Sequence, residues 1–515
     1  MSHHIAGTMS SAPLALPEVH RRAERLFADK TIATPGPQGF VHITYAESAE
    51  RTRRLGGALN ALGLAADARV GTFAWNTARH FELYFAVPCT GRVLHTINIR
   101  LAADDIAWIV NHAEDEVIFA DASLVQLLLP ILDDLPTVRH VVVMREDDEP
   151  LPSDPRFLDY EQLLSAAEPA DFHVDDEHRA AAMCYTSGTT GRPKGVVYTH
   201  RSIVLHSLAV MAAGSLGVCE TDVLLPIVPM FHVNAWGIPH GAAMAGASLV
   251  MPGADLSGPA LATLLERERV TFAAGVPTIW QNVLPELEGR DLSALRALVS
   301  GGAPMPLELS DAYAERTGIP LTQAWGMTET SPTGSVCQVK STLAGETPEQ
   351  RRSRRTTIGV PVPLVSVRIM DPESGEERPW DGEARGELEI TGPFITASYY
   401  RHDDASRFSE DGWLRTGDVA QIDEHGYVRL VDRIKDLVKS GGEWISSVEL
   451  ENAIMAHPDV REAAVIAVPD ERWGERPMAF VVRAEDASLE ADEIRAFLAD
   501  RVARWWIPEH LATPA

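Results

Sequence analysis

Cysteine is scarce in this chain. It has four in 515 residues, Cys89, Cys184, Cys219 and Cys337, and none stand in a Cys-x-x-Cys spacing. That excludes a disulfide framework, argues against a cysteine-built zinc site, and fits a reducing, cytoplasmic compartment. No apolar run approaches the roughly 18 residues that a membrane-spanning helix needs. The opening "MSHHIAGTMSSAPLALPEVH" has no charged segment leading into an apolar core, so no secretory signal is expected there. Residues 1–11 are expected to be a disordered lead-in. Basic residues are also few: 45 Lys and Arg stand against 73 Asp and Glu, for a net charge of −28. Nucleic acid and anionic membrane both demand a basic footprint, so neither is an expected partner. A small anion at a local cluster stays open.

What remains is the composition of an ordinary globular protein, 45% apolar and 23% charged. The length points to two or more domains. Short apolar runs at 70–75, 117–121, 140–144, 180–186, 270–275 and 297–302 alternate with helical stretches, the pattern of buried, mainly parallel sheets. The first helix signal is "TYAESAERTRRLGGALNALGL", where Thr44 and Glu47 make a capping box and Gly63 supplies the stop. "DLSGPALATLLERERV" sets Leu261, Leu264 and Leu265 on one face. From about Gly359 the runs "VSVRIMD", "GELEITG" and "GYVRLVD" alternate like a small antiparallel unit. Beyond it, Ser446 and Glu449 form a second capping box, and "REAAVIAVPD" and "PMAFVVRAE" read as strands. The last helix is expected to carry Ile494, Phe497, Leu498, Val502 and Trp505 on one stripe. The basic run "QRRSRRTT" (350–357) reads as a solvated loop, with phosphate or interface contact as the alternative. The expected fold is α/β: a large domain (12–434) of mixed, mainly parallel sheets with a small antiparallel unit, then a small mobile α+β domain (435–515).

One stretch concentrates chemistry. In "MCYTSGTTGRPKGVVYTH" (183–200) a strand runs into glycines and small hydroxyls with a single Lys. Glycine lets successive N–H groups converge on an anion. Hydroxyls add donors or ligands for a hard cation, and Lys194 adds a mobile charge. The spacing is not that of a Walker loop. By composition alone a flexible surface loop fits as well.

The full string resembles the signature of the adenylate-forming superfamily, which includes acyl-CoA synthetases, peptide-synthetase adenylation domains and luciferases. "PMFHVNAWG", "SGGAP", "QAWGMTETSP", "GELEITGP", "DGWLRTGDVA" and "VDRIKDLVKSGGEWISS" follow in the family's order, from about Pro17 to Pro508. "LHTINIRL" and "SGGEWISS" are most similar to the medium- and long-chain fatty-acyl-CoA synthetase branch. The resemblance implies two half-reactions. A carboxylate attacks the α-phosphate of ATP to give acyl-AMP and pyrophosphate. The thiol of coenzyme A then takes the acyl group and releases AMP. The first joins an anion to a polyanion, so Mg2+ and aimed donors are expected.

The resemblance also implies roles. Thr186, Ser187, Gly188, Thr189, Thr190 and Lys194 hold phosphates. Thr328 meets the α-phosphate, and Glu329 ligates Mg2+, with Thr186 as a second ligand. Gly302, Ala303, Gln323, Ala324, Trp325 and Gly326 form the adenine slot. Asp418 takes the ribose hydroxyls, Arg433 reaches ribose or phosphate, and Lys435 is the hinge. Lys439, Gly441, Gly442, Glu443 and Trp444 face coenzyme A. His232, Val233, Trp236 and Gly237 shape the acyl pocket, with small apolar lining after them and no obvious basic residue. Aryl and thioether acids fit such a lining too, and an amine or a carrier protein is an alternative acceptor. A non-catalytic nucleotide or acyl-adenylate binder is the rival from another class. A homodimer is the expected assembly. The family carries one further lysine shortly after the segment matching "WWIP". No Lys follows Lys439, so the expectation is a chain that continues past Ala515, with slow adenylation without that tail.

Overall fold

The computed structural model describes residues 7–36, 39–145, 150–186, 192–440, 443–470, 472–484, 487 and 489–512. The chain divides into two compact units, one of residues 1–366 and 391–406, the other of 367–390 and 407–515. The expected boundary between residues 434 and 435 falls inside the second unit.

The first unit holds two large sheets. One runs in the order Phe157–Asp159, His140–Met144, Asp115–Asp121, Arg69–Phe73, Val93–Thr96, Ala180–Tyr185, Gly195–Thr199. Its pairings are parallel up to Ala180–Tyr185, and the last pair is an antiparallel hairpin. The other sheet is parallel through Leu321–Gly326, Ala297–Ser300, Phe272–Gly275, Val223–Pro226, Ser248–Val250 and Thr31–Gly36. It gains antiparallel strands at both ends. The central strands are short and apolar because both of their faces are buried: Phe272–Gly275 is buried at every position. Their loops therefore emerge at strand ends, where Tyr185, Ser300 and Gly326 lead into the candidate site.

The second unit holds a sheet in the order Ser366–Met370, Gly386–Thr391, Leu414–Ile422, Val428–Arg433. It also holds a smaller sheet built on the long hairpin Val460–Asp470 and Gly474–Arg483. The core of that α+β part includes Val438, Leu450, Ile454, Val481, Ile494 and Leu498.

Local signals are confirmed in most places. Thr44 and Glu47 close both halves of their capping box. At Ser446 only one half forms, the hydroxyl accepting from the Glu449 N–H. Three expectations need correction. A helix at Leu16–Leu26 precedes the first one expected. Its cap, Ala15, offers no side chain, so the usual start signal is missing. What holds it is the burial of Leu16, Val19, His20 and Ala23 at helical spacing. The basic run is no loop but a helix, Pro348–Arg354, capped by Thr347. Its arginines pair with acids: Arg354 with Glu346, and Arg352 and Arg355 with Asp311. The last helix stops at Leu498, and Trp505 lies exposed in a separate turn.

Candidate active site

The hairpin that carries the expected phosphate loop is closed on itself. Thr186 N–H donates to the Lys194 carbonyl at 2.9 Å, and Lys194 N–H donates to the Thr186 hydroxyl oxygen at 3.0 Å. Ser187, Gly188, Thr189 and Thr190 lie outside the described residues. One strand further on, the buried Tyr198 hydroxyl donates to the Thr328 carbonyl at 2.7 Å. The hairpin is thereby tied to the short turn Thr328–Thr330. Both Thr328 and Glu329 are buried.

A third segment, residues 391–406, completes this cluster. Its Thr396 N–H donates to the Glu329 carbonyl at 2.8 Å. The Tyr399 hydroxyl donates to Glu329 Oε1 at 2.6 Å. Lys194 Nζ stands 5.0 Å from the Tyr399 ring centroid and donates to Asp404 Oδ2. An ammonium over a ring face is favourable because the π face is negative. Burial would penalise the Glu329 carboxylate unless it were hydrogen-bonded, and Tyr399 supplies that bond. Tyr198 and Tyr399 thus bring Lys194, Thr328 and Glu329 into one neighbourhood. Tyr198, Tyr399 and Asp404 were not singled out in the sequence, since nothing local marks them.

Several of the residues expected at the adenine slot are neighbours. Gln323 is buried, and its Nε2 donates to the Ala303 carbonyl at 3.4 Å. A β-carbon on Gly301 would stand 2.8 Å from the Ala324 carbonyl oxygen and 2.9 Å from the Trp236 ring. Only glycine allows that approach. Gly302 has φ +79°. Trp325 and Gly326 are half-buried at the end of their strand.

Trp236 reaches this glycine turn through a strained backbone. Val233, Asn234, Ala235, Trp236 and Gly237 have φ values of 46°, 51°, 47°, 56° and 70°. The four non-glycine residues each carry a cost of about 1–2 kcal/mol in this left-handed region. Packing holds them. The Asn234 Oδ1 accepts from Tyr84, Thr96 and Cys184, each at 3.5 Å. A β-carbon on Gly237 would lie 2.5 Å from His206 Nδ1. His206 Nε2 accepts from the Thr333 N–H at 3.2 Å, and burial lowers its pKa to about 3, so the ring is neutral. Strain of this density collects at functional sites. His232, at the start of the turn, is exposed.

In the second unit, Asp418 is buried and pairs with Arg433 Nε at 2.6 Å. The two face each other in the register of neighbouring antiparallel strands. Lys435 and Lys439 are exposed. Lys439 N–H donates to Glu475 Oε2 at 2.8 Å. Trp444 packs on Val419, Val431 and Leu437. Gly441 and Gly442 lie outside the described residues, as does the side chain of Glu443.

Residues 19–400 match the family model described as AMP-binding enzyme, and residues 449–513 match its C-terminal domain. The chain belongs to the AMP-binding enzyme family. The likeness read from the motifs therefore holds over nearly the whole length of this AMP-binding enzyme. It is 46% identical to a long-chain-fatty-acid–CoA ligase of Thermus thermophilus, over 98% of this chain and 92% of that protein. It is 42% identical to a 3-methylmercaptopropionyl-CoA ligase of Ruegeria lacuscaerulensis, over 98% and 94%. Among solved structures, ATP-bound MatB from Rhodopseudomonas palustris superposes with a TM-score of 0.83 at 27% identity, covering 97% of this chain and 95% of that one. Among the described residues no helix is long and apolar enough to cross a membrane.

Proposed function

We propose that this AMP-binding enzyme uses ATP to activate a medium- or long-chain fatty acid as acyl-AMP and passes the acyl group to coenzyme A. The observation that carries this reading is the 46% identity to a fatty-acid–CoA ligase along 98% of the chain. The clustering of Lys194, Thr328 and Glu329 supports it.

Lys194 and the hydroxyls of residues 186–190 take the departing phosphates, and Thr328 meets the α-phosphate. Among the described residues no group of three His, Cys, Asp or Glu side chains could hold a metal ion. One buried carboxylate beside a phosphate site fits a cation that takes its other ligands from substrate oxygens and water, the usual manner of Mg2+. Glu329 would hold it, with Thr186 near, and it would supply neutralisation of phosphate charge. Trp325 stacks on adenine. Gln323, Gly302, Ala303, Ala324 and Gly326 line its slot. Asp418 accepts from the ribose hydroxyls, with Arg433 beside it. His232, Val233, Trp236 and Gly237 shape the acyl pocket. A methylene binds there without directional demand and contributes roughly 0.8 kcal/mol when buried. Lys435 serves as hinge between half-reactions, after which Lys439, Gly441, Gly442, Glu443 and Trp444 face coenzyme A. The enzyme works in the cytoplasm as a homodimer.

A second reading is a small thioether acid as substrate, which the 42% identical relative favours. A panel of octanoate, dodecanoate, palmitate, benzoate and 3-methylthiopropionate, with AMP release and CoA thioester as readouts, separates the two. The proposal expects the highest kcat/KM with a fatty acid. Activity confined to the thioether acid, or AMP release without thioester, overturns it.

A further inference from the structure

Asp404 has no part in the reaction as derived above, yet it holds Lys194, the lysine expected at the phosphates. Its Oδ2 accepts from Lys194 Nζ, and its Oδ1 accepts from the Ser406 hydroxyl at 2.6 Å. The pair is mostly covered, with 24% of the Lys194 side chain and 19% of the Asp404 side chain exposed. The same segment places Tyr399 beneath the Lys194 ammonium and against Glu329. Lys194 is therefore not free over the loop. It is drawn to one place by a carboxylate, a ring face and the hairpin from which it grows.

An ammonium has a small donor set, and a carboxylate oxygen satisfies it as a terminal phosphate oxygen would. The two anions compete for the same group. A fixed carboxylate beside a polyanion also repels it, through a partly covered environment where screening is weak.

We propose that Asp404 is an internal counter-ion that exchanges with the phosphates of ATP for Lys194 and takes the ammonium back as pyrophosphate leaves. The inference rests on the reading of Lys194 as a phosphate ligand. It goes further in giving that ligand a competitor built into the chain. Lys194 keeps the Asp404 carboxylate ionised by holding its pKa below the ordinary range, so the competitor is charged at neutral pH. Asp404 thus weakens the grip on ATP and on pyrophosphate alike, and sets how readily product is released.

The test is Asp404→Asn, with Asp404→Glu beside it. In the Asn variant the inhibition constant for pyrophosphate and the KM for ATP should each fall about tenfold at low salt, the scale of one screened charge at close range. The KM for the fatty acid should stay unchanged, and the gain should shrink as ionic strength rises. The Glu variant should restore the wild-type constants. A merely structural ion pair predicts the reverse, a lower melting temperature with an unchanged or raised KM for ATP, and that result overturns the proposal. Lys194→Met separates this from the underlying reading. If Lys194 binds phosphate, Lys194→Met raises the KM for ATP, and adding Asp404→Asn to it brings no recovery. If Lys194→Met leaves that KM unmoved, the reading of Lys194 falls, and the exchange falls with it. If Lys194→Met raises it while Asp404→Asn does not lower it, only the exchange is wrong. Thermal melts of each variant keep the constants interpretable, and Asp404→Ser replaces Asp404→Asn if that protein does not fold.

Discussion

The Tyr399 hydroxyl donates to Glu329 Oε1 at 2.6 Å, and both side chains are buried. The carboxylate expected to hold Mg2+ is therefore already oriented by a residue 70 positions away. A hydrogen bond to a charged group contributes about 1.5–3 kcal/mol. Tyr399→Phe keeps the ring under Lys194 but removes that bond. ATP–pyrophosphate exchange should fall roughly tenfold or more, with a rise in the Mg2+ concentration needed for half-maximal rate. A Mg2+ titration of exchange activity checks it, and an unchanged titration would refute the orienting role.

Tyr198 links the hairpin to the Thr328 carbonyl. Tyr198→Phe leaves that buried acceptor unsatisfied, at a cost of about 1–3 kcal/mol. Urea unfolding should show the loss. Activity should drop with it, because Thr328 is placed by its backbone. Full stability with full activity would show that the bond carries neither.

His95 and Asp115 form a fully buried pair, Nδ1 to Oδ2, at 2.8 Å. The His95 ring lies 5.1 Å from that of Tyr185, just before the loop. Leaving the buried His95 Nδ1 without its acceptor costs about 1–3 kcal/mol. Asp115→Ala should lose that much in chemical unfolding, and Asp115→Asn much less, since the amide still fills the space. Equal losses in the two variants would contradict this.

Acid should unfold the chain early. Burial lowers the pKa of His20, His80, His200 and His240 from 6.5 to about 4, and that of His206 to about 3. The unfolded chain binds these protons first, so the stability present above pH 6.5 is lost as pH falls toward 4. Each histidine contributes about 1.4 kcal/mol per pH unit in that window. Urea midpoints measured at pH 7.5, 6.0 and 5.0 should fall steeply. His240→Phe, which keeps ring contacts with Tyr84 and Phe85, should flatten the slope by about one proton. A midpoint constant from pH 7.5 to 5.0 would rule this out.

Much of this protein is legible in its sequence because the controlling forces are local. Alternating apolar runs fix strands, Thr44 and Glu47 cap a helix within one turn, and "YTSGTTGRPKG" ends a strand in glycines and hydroxyls. These features act between residues a few positions apart, so order along the chain is enough to read them. The helix at Leu16–Leu26 escaped that reading because its stabilisation lies in burial rather than in a cap. The basic run is helical over Pro348–Arg354 because Thr347 and Gln350 close a capping box ahead of it, and acids at 311 and 346 then receive Arg352, Arg354 and Arg355.

The partners of the chemical groups were decided only in three dimensions. Lys194 meets Asp404 across 210 positions, and Glu329 meets Tyr399 across 70. Neither Asp404 nor Tyr399 carries a local pattern. The left-handed turn at Val233–Gly237 is likewise imposed on ordinary residues by what packs around them, His206 on one side and Gly301 against Trp236 on the other. Sequence determined which groups the enzyme owns. Tertiary structure decided which of them touch, because contact at that range is set by how whole sheets and segments pack, and no short stretch encodes it.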